Sequence, residues 1–108
     1  MLELQVIGHL GKDAEVKNLS DGKKLLVFNL AHTSKWQDKS GTEQSRTQWF
    51  NCSRTVKNSD AMLKHLVKGC KVLVRGDFYS ETREHEGNTY LSNNVRIDVL
   101  KILTWQDS

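Results

Sequence analysis

The chain contains no proline, two cysteines, eight aromatic residues and no hydrophobic stretch free of charged residues. Each absence narrows what it can be. Without proline, and without any repeat or low-complexity tract, there is no sign of a linker dividing the 108 residues, so we expect residues 1–108 to form one domain with one activity. Cys52 and Cys70 lie eighteen positions apart, with no CxxC element and no secretory segment at the N-terminus. They read as reduced, packed thiols in a cytoplasmic protein. No apolar run reaches the length of a membrane span, and no membrane association is expected.

Catalytic and metal-binding patterns are also missing. His9, His32, His65 and His85 are scattered without ligand spacing, and neither cysteine completes a four-ligand set, so no metal or other cofactor is expected. Gly8-His9-Leu10-Gly11-Lys12 has only two residues between its glycines, and Asp13 follows the lysine. It reads as a kinked strand and not as a phosphate loop. No G-x-S-x-G or H-E-x-x-H arrangement occurs, and Glu81, Glu84 and Glu86 fall on a hairpin arm where solvated carboxylates are ordinary. We expect no enzyme activity.

Sixteen Lys and Arg against thirteen Asp and Glu leave a formal charge of +3, a lean toward anionic partners. Leu2, Leu4 and Val6 alternate with Glu3, Gln5 and Ile7, predicting a half-buried strand that kinks at Gly8–Gly11 and continues through Val16. After the Asp21-Gly22 turn, Leu26, Phe28 and Leu30 alternate in a second strand paired back on the first. The polar segment from Trp36 to Arg46 shows no apolar period and predicts an exposed loop before a third strand at Thr47–Ser53.

Asn58 or Ser59 can cap a short helix whose apolar face is Met62, Leu63, Leu66 and Val67, stopped at Gly69. Val72, Val74 and Phe78 carry a fourth strand through Gly76. A turn at Glu86-Gly87-Asn88 leads to a fifth strand, Tyr90–Leu103. There the apolar set passes from Val95, Ile97 and Val99 to Leu100 and Ile102, which predicts a bulge or sharp bend. Five curved strands with one short helix between the third and fourth make an all-β chain with the order of a Greek-key OB-fold barrel. A barrel of another topology with an inserted helix fits the same pattern.

Trp36 and Trp49 flank the basic segment, which also holds Lys35 and Lys39. Indoles among cations suit stacking on unpaired bases, although an indole near a strand end can equally be core or subunit contact. Trp105 and Phe50 are read as packing residues. The stacking mechanism requires both Trp36 and Trp49 to be exposed, together with the cations, along one groove.

The residues also resemble the bacterial single-stranded DNA-binding protein family along nearly the whole chain. Gly8 to Val16 is similar to that family's first-strand signature, with Ala14 where proline is usual. Phe28-Asn29-Leu30-Ala31, Trp36-Gln37-Asp38-Lys39, Thr47-Gln48-Trp49, Leu66-Val67-Lys68-Gly69 and Val72-Leu73-Val74-Arg75-Gly76 follow in the family's order. The resemblance implies base stacking at Trp36 and Trp49 and phosphate contacts at Lys39, Lys57 and Lys68. Lys35 and Arg54 complete the basic set.

Two stacking aromatics of the family are absent, with Thr55 and Arg83 at their positions. Arg83 can lie flat on a base while meeting phosphate, and Tyr79 can restore one stacking surface. Both also fit as solvated hairpin residues. Two rings at roughly 1–3 kcal/mol each fall short of the roughly 8 kcal/mol of micromolar binding. Linked barrels on one strand make up the difference by avidity, and the resemblance implies a homotetramer.

The expected function is therefore binding of single-stranded DNA with little base preference during replication, recombination and repair. An OB-fold protein-interaction module and an RNA-binding barrel are the alternatives. The family's acidic C-terminal tail has no counterpart in Thr104-Trp105-Gln106-Asp107-Ser108, so tail-mediated recruitment of replication and repair enzymes does not carry over.

Overall fold

The structure is a computed structural model that describes residues 1–56 and 61–104 in backbone and, apart from the side chains of residues 61 and 62, in burial. Six strands are present: β1 (Glu3–Leu10), β2 (Glu15–Asn18), β3 (Lys24–Gln37), β4 (Glu43–Val56), β5 (Lys71–His85) and β6 (Asn88–Ile102). They follow the order β1-β5-β6-β4-β3-β2, and β1 also pairs with β3. That extra pairing, His9 with Ala31 and Leu10 with Leu30, closes the sheet into a barrel.

The expected long first strand is present as two pieces on either side of a kink at residues 11–14. Both lie on β3, because β2 pairs Glu15 through Asn18 with Val27 through Lys24. The inward set is largely the alternating one expected from sequence. Val6, Leu10, Leu26, Phe28, Leu30, Phe50, Cys52, Val72, Val74, Val95 and Ile97 are buried together, removing apolar surface from water at about 25 cal/mol per Å². Both cysteines are unpaired and buried; desolvation pushes the Cys52 thiol up to about 12, and raises that of Cys70 as well. Neither is poised as a nucleophile at neutral pH.

The bulge predicted in the last strand lies at Asp98. Arg75 pairs with Val99, but Gly76 pairs with Ile97, so Asp98 is the extra residue on β6. Gly76 makes this crossing possible, since a Cβ there would collide with the carbonyl of Arg96. Parallel pairing of Asn51–Ser53 with Asn94–Arg96 then joins β4 to β6 and completes the ring.

The connection between β4 and β5 carries the expected short helix, as a 3₁₀ helix at Ala61–His65. It ends earlier than the apolar pattern through Val67 suggested. The backbone beyond it is taken by other partners: Ala14 N donates to Leu66 O at 2.8 Å, Cys70 N to Val67 O at 3.0 Å, and Gly69 N to Leu10 O at 2.9 Å. Leu66 is buried by this docking and Leu63 packs on the core. The proposed caps Asn58 and Ser59, the Met62 side chain and Trp105 lie outside the described residues.

The largest departure concerns Trp36 to Arg46. In place of an open loop, β3 and β4 run on as a two-stranded arm with unbroken register from Lys24↔Val56 to Gln37↔Glu43. The arm extends past the core, so neither of its faces needs apolar alternation, and the ladder alone satisfies its backbone. Only Asp38–Thr42 turn. β5 and β6 form a second arm, paired to His85↔Asn88, and Glu86 and Gly87 take φ of 52° and 81° there, as a tight primed hairpin turn requires.

Candidate nucleic-acid interface

A half-open groove of about 440 Å³ crosses the outer face of β3 and β4. Its floor includes Asn29, Asn51 and Ser53; Lys12, Asp13, Glu15 and Lys17 form one wall, and Tyr79, Arg83 and Asn94 the other. The walls belong to the β1–β2 connection with β2, and to the β5–β6 arm. Asn51 donates weakly to Asn94 Oδ1 at 3.4 Å, so these amides retain donors and acceptors for a ligand. They are the residues missed in the sequence. Strand alternation supplied the signal, because Asn51 stands two positions from Trp49 on the same face.

Trp49, two positions from Asn51 and on the same face of β4, is 53 % exposed. It is seated against Gly11, where a Cβ would lie 2.6 Å from the ring's Cζ3. The glycine read from sequence only as a strand kink thus leaves room for the indole. Gly11→Val is expected to push the ring out of place and weaken ligand binding several-fold while the barrel still unfolds cooperatively. Tryptophan emission and a melting curve of the variant check this.

Trp36 is also exposed, at 44 %, but it does not share that groove. In the uninterrupted ladder, Trp49 pairs with Ala31, whereas Trp36 pairs with Gln44 and falls in the other alternation set. The two indoles occupy opposite faces of the β3–β4 ladder. This overturns the condition set for the two-indole stacking mechanism, that both rings share one groove, and leaves only Trp49 on the groove's face; a two-residue period separates positions 36 and 31 onto different faces, whatever their exposure. Arg46, across from Ser34 on Trp36's face, places its guanidinium 5.7 Å from the Trp36 ring centre. One side of that indole carries a cation and the arm has its own aromatic and basic station.

The remaining candidates divide in the same way. Lys35, paired with Ser45, lies on Trp49's face further out along the arm, beyond the Thr33–Thr47 hydroxyl contact of 3.0 Å. Lys39 sits at the turn of the arm and is exposed. Lys68 is exposed, and its backbone N–H donates to Asp13 Oδ1 at 2.8 Å, which anchors it beside the groove wall. Tyr79 is half-buried with the Arg96 guanidinium 5.3 Å from its ring centre. Arg83 lines the groove.

Arg54 does not join them. It pairs with the buried Leu26 and points to the barrel's mouth beside Val16, Val56, Leu63 and Leu100. Lys57 lies outside the described residues. No cluster able to hold a metal occurs among the described residues, and no described helix is long and apolar enough to cross a membrane.

Asp38 holds the turn of the β3–β4 arm. Its Oδ1 accepts from Ser40 Oγ at 2.7 Å, Thr42 N at 2.9 Å and Ser40 N at 3.0 Å. The Ser40 hydroxyl first, then the Thr42 N–H, favour the carboxylate and lower its pKa. A depressed folded-state pKa contributes order that is complete above the ordinary aspartate range and lost as pH falls through the lowered value. Asp38→Asn is expected to loosen the turn at neutral pH and to flatten its acid dependence, read as amide exchange at Ser40 and Thr42.

Residues 1–103 match the model of the Single-strand binding protein family. The chain belongs to that family. Among similar proteins, Single-stranded DNA-binding protein 1 of Chlorobaculum tepidum is 33 % identical over 86 residues, 80 % of this chain and 52 % of the relative. A Single-stranded DNA-binding protein of Neisseria meningitidis is 32 % identical over 82 residues, 76 % of this chain and 46 % of the relative. The chain spans about half the length of these curated relatives. A solved complex of Plasmodium falciparum SSB with ssDNA superposes with a TM-score of 0.80 over 96 % of both chains at 23 % identity. That likeness establishes the fold, an OB-fold barrel.

Proposed function

We propose that this chain binds single-stranded DNA with little base preference and is not an enzyme, serving in the cytoplasm to protect strands opened in replication, recombination and repair. Residues 1–108 act as one binding domain. The observation that carries this reading is Trp49, exposed and seated on Gly11, on the same face of β4 as Asn51 of a groove whose walls carry Lys12, Lys17 and Arg83 beside Asp13 and Glu15. A flat apolar ring offers stacking to any base, and the cations accept any phosphate, which gives sequence tolerance. The relatives' names and membership of the family support the same ligand.

In this reading Trp49, Tyr79, Arg83, Lys68 and Lys35 follow one path along the groove face. Trp36, Arg46 and Lys39 engage DNA that has crossed to the arm's other side. Such wrapping suits a homotetramer, in which several barrels share one strand and gain avidity without new contacts. Mass in solution, with and without a long oligo-dT strand, is expected to be that of four chains in both cases, with one strand added.

The test is anisotropy of labelled oligo-dT, oligo-dA and a mixed sequence across a salt series. Affinities for the three are expected to be similar and to fall steeply with salt, and Lys68→Ala is expected to reduce the salt slope by about 0.7. Absence of binding at low salt would replace this reading with a protein-interaction module. Tighter binding of the matching RNA would make the ligand RNA, because stacking alone does not sense the 2′-hydroxyl.

A further inference from the structure

We propose that Asn51 selects, at one position of the bound strand, a base that carries an exocyclic amino group, because its amide is held with the carbonyl oxygen left free in the groove. This selectivity rests on the single-stranded DNA reading above and adds one read nucleotide to an otherwise base-tolerant path. Hydrogen-bond polarity fixes the amide. Ser92 Oγ gives its one proton to Glu81 O at 3.4 Å, so toward Asn94 that hydroxyl acts only as an acceptor. Asn94 Nδ2 lies 3.2 Å from this oxygen and 3.4 Å from Ser92 O. A flipped Asn94 would set its own oxygen against two acceptors, so its nitrogen faces Ser92 and its Oδ1 faces Asn51. There it accepts from Asn51 Nδ2 at 3.4 Å.

Asn51 is thereby oriented from the half-buried Asn94, and its Oδ1 takes no partner among the described residues. The residue is exposed and lines the groove. Asn29 is the contrast: it stands directly across from Asn51 and lines the same groove, but its side chain makes no hydrogen bond among the described residues. A free amide turns either end to whatever edge a base presents, whereas a fixed oxygen asks for a donor. Cytosine, adenine and guanine carry an amino group that projects from the ring. Thymine and uracil have only a ring N–H, set between two carbonyl oxygens that repel Asn51 Oδ1. Asn51 lies two positions from Trp49 on the same face, about 7 Å along the strand, so the nucleotide read is the neighbour of the one stacked on the indole.

The experiment uses the full chain and the shortest oligo-dT strand it binds, with one thymine replaced at each position in turn by dC or by dU, which differ in the amino-for-carbonyl exchange and not in size. One position is expected at which the dC strand binds roughly 2- to 12-fold tighter than the dU strand. Elsewhere the two should bind alike. Asn51→Ala is expected to abolish the difference. Asn94→Ala leaves Asn51 in place but frees its amide to turn, so it is expected to abolish the difference while affinity for the unsubstituted strand stays the same, and Asn29→Ala to preserve it. Melting curves check that each variant folds. Equal affinity for dC and dU strands at every position would overturn the selectivity while leaving groove binding intact. A preference for dC that survives either Asn51→Ala or Asn94→Ala would overturn it too. Failure of the wild type to bind any strand removes the parent reading, and the selectivity with it.

Discussion

Trp49→Ala is expected to lower affinity for oligo-dT, oligo-dA and mixed single strands by a common factor of roughly 5 to 150, the equivalent of one lost stacking platform at about 1–3 kcal/mol. The uniformity matters as much as the size. The indole offers its face, and every base has a face to match, so removing it takes the same contact from each sequence. Trp49→Phe retains a smaller ring over Gly11 and is expected to fall between wild type and Ala. The salt slope should not change in either variant, since no phosphate contact has been removed. A loss confined to one base would instead indicate edge recognition by the Asn29, Asn51 and Asn94 amides nearby. Anisotropy titrations at fixed salt, with melting curves to verify folding, distinguish these results.

The largest effect on stability is expected at Gly76. A methyl group there would collide with the Arg96 carbonyl and also lie 2.7 Å from its carbonyl carbon. Both are backbone atoms held by the ladder around the Asp98 bulge, so no flexible side chain can move aside. Overpacking of this kind costs about 1–3 kcal/mol, and more where backbone must shift. Against a total stability of about 5–15 kcal/mol, Gly76→Ala should lower the denaturant midpoint sharply or prevent folding. Gly41→Ala supplies a contrast. Its φ of 83° is strained for alanine at about 1–2 kcal/mol, but nothing lies within 4 Å, so it should cost less than the Gly76 collision and leave the fold intact. Urea unfolding of the two variants measures the difference.

The barrel was legible in the sequence where burial imposes a period. Alternation at Val6, Leu26, Phe28, Leu30, Val72 and Val74 marks strands because one face of each meets the core, and the parity change after Val99 marks the bulge for the same reason. The arms were not legible, since Lys35, Gln44 and Arg46 face no core and their strand is held only by backbone pairing. That gap hid the alternation separating Trp36 from Trp49. The role of Gly11 was hidden as well, because its partner is an indole nearly forty positions away that no local pattern connects to it. Arg54 looked available because charge was counted and facing was not; its pairing with buried Leu26 turns it toward the barrel mouth.

Chemistry proved easier to find than its arrangement. The motifs and their order along the chain pointed to the family, as its model match over residues 1–103 bears out. Three-dimensional pairing divides the candidates into a groove station around Trp49 and an arm station around Trp36. A strand in contact with both must therefore bend around the arm, and so the two stations call for separate measurement.

The most direct test leaves Trp49 as the chain's sole indole, through Trp36→Phe and Trp105→Phe, and follows its emission during titration with oligo-dT at low salt. Saturable quenching that added salt reverses is the predicted result, with bases stacking on Trp49 on the groove's face. Unchanged emission up to saturating strand, with no shift in gel mobility, would contradict it.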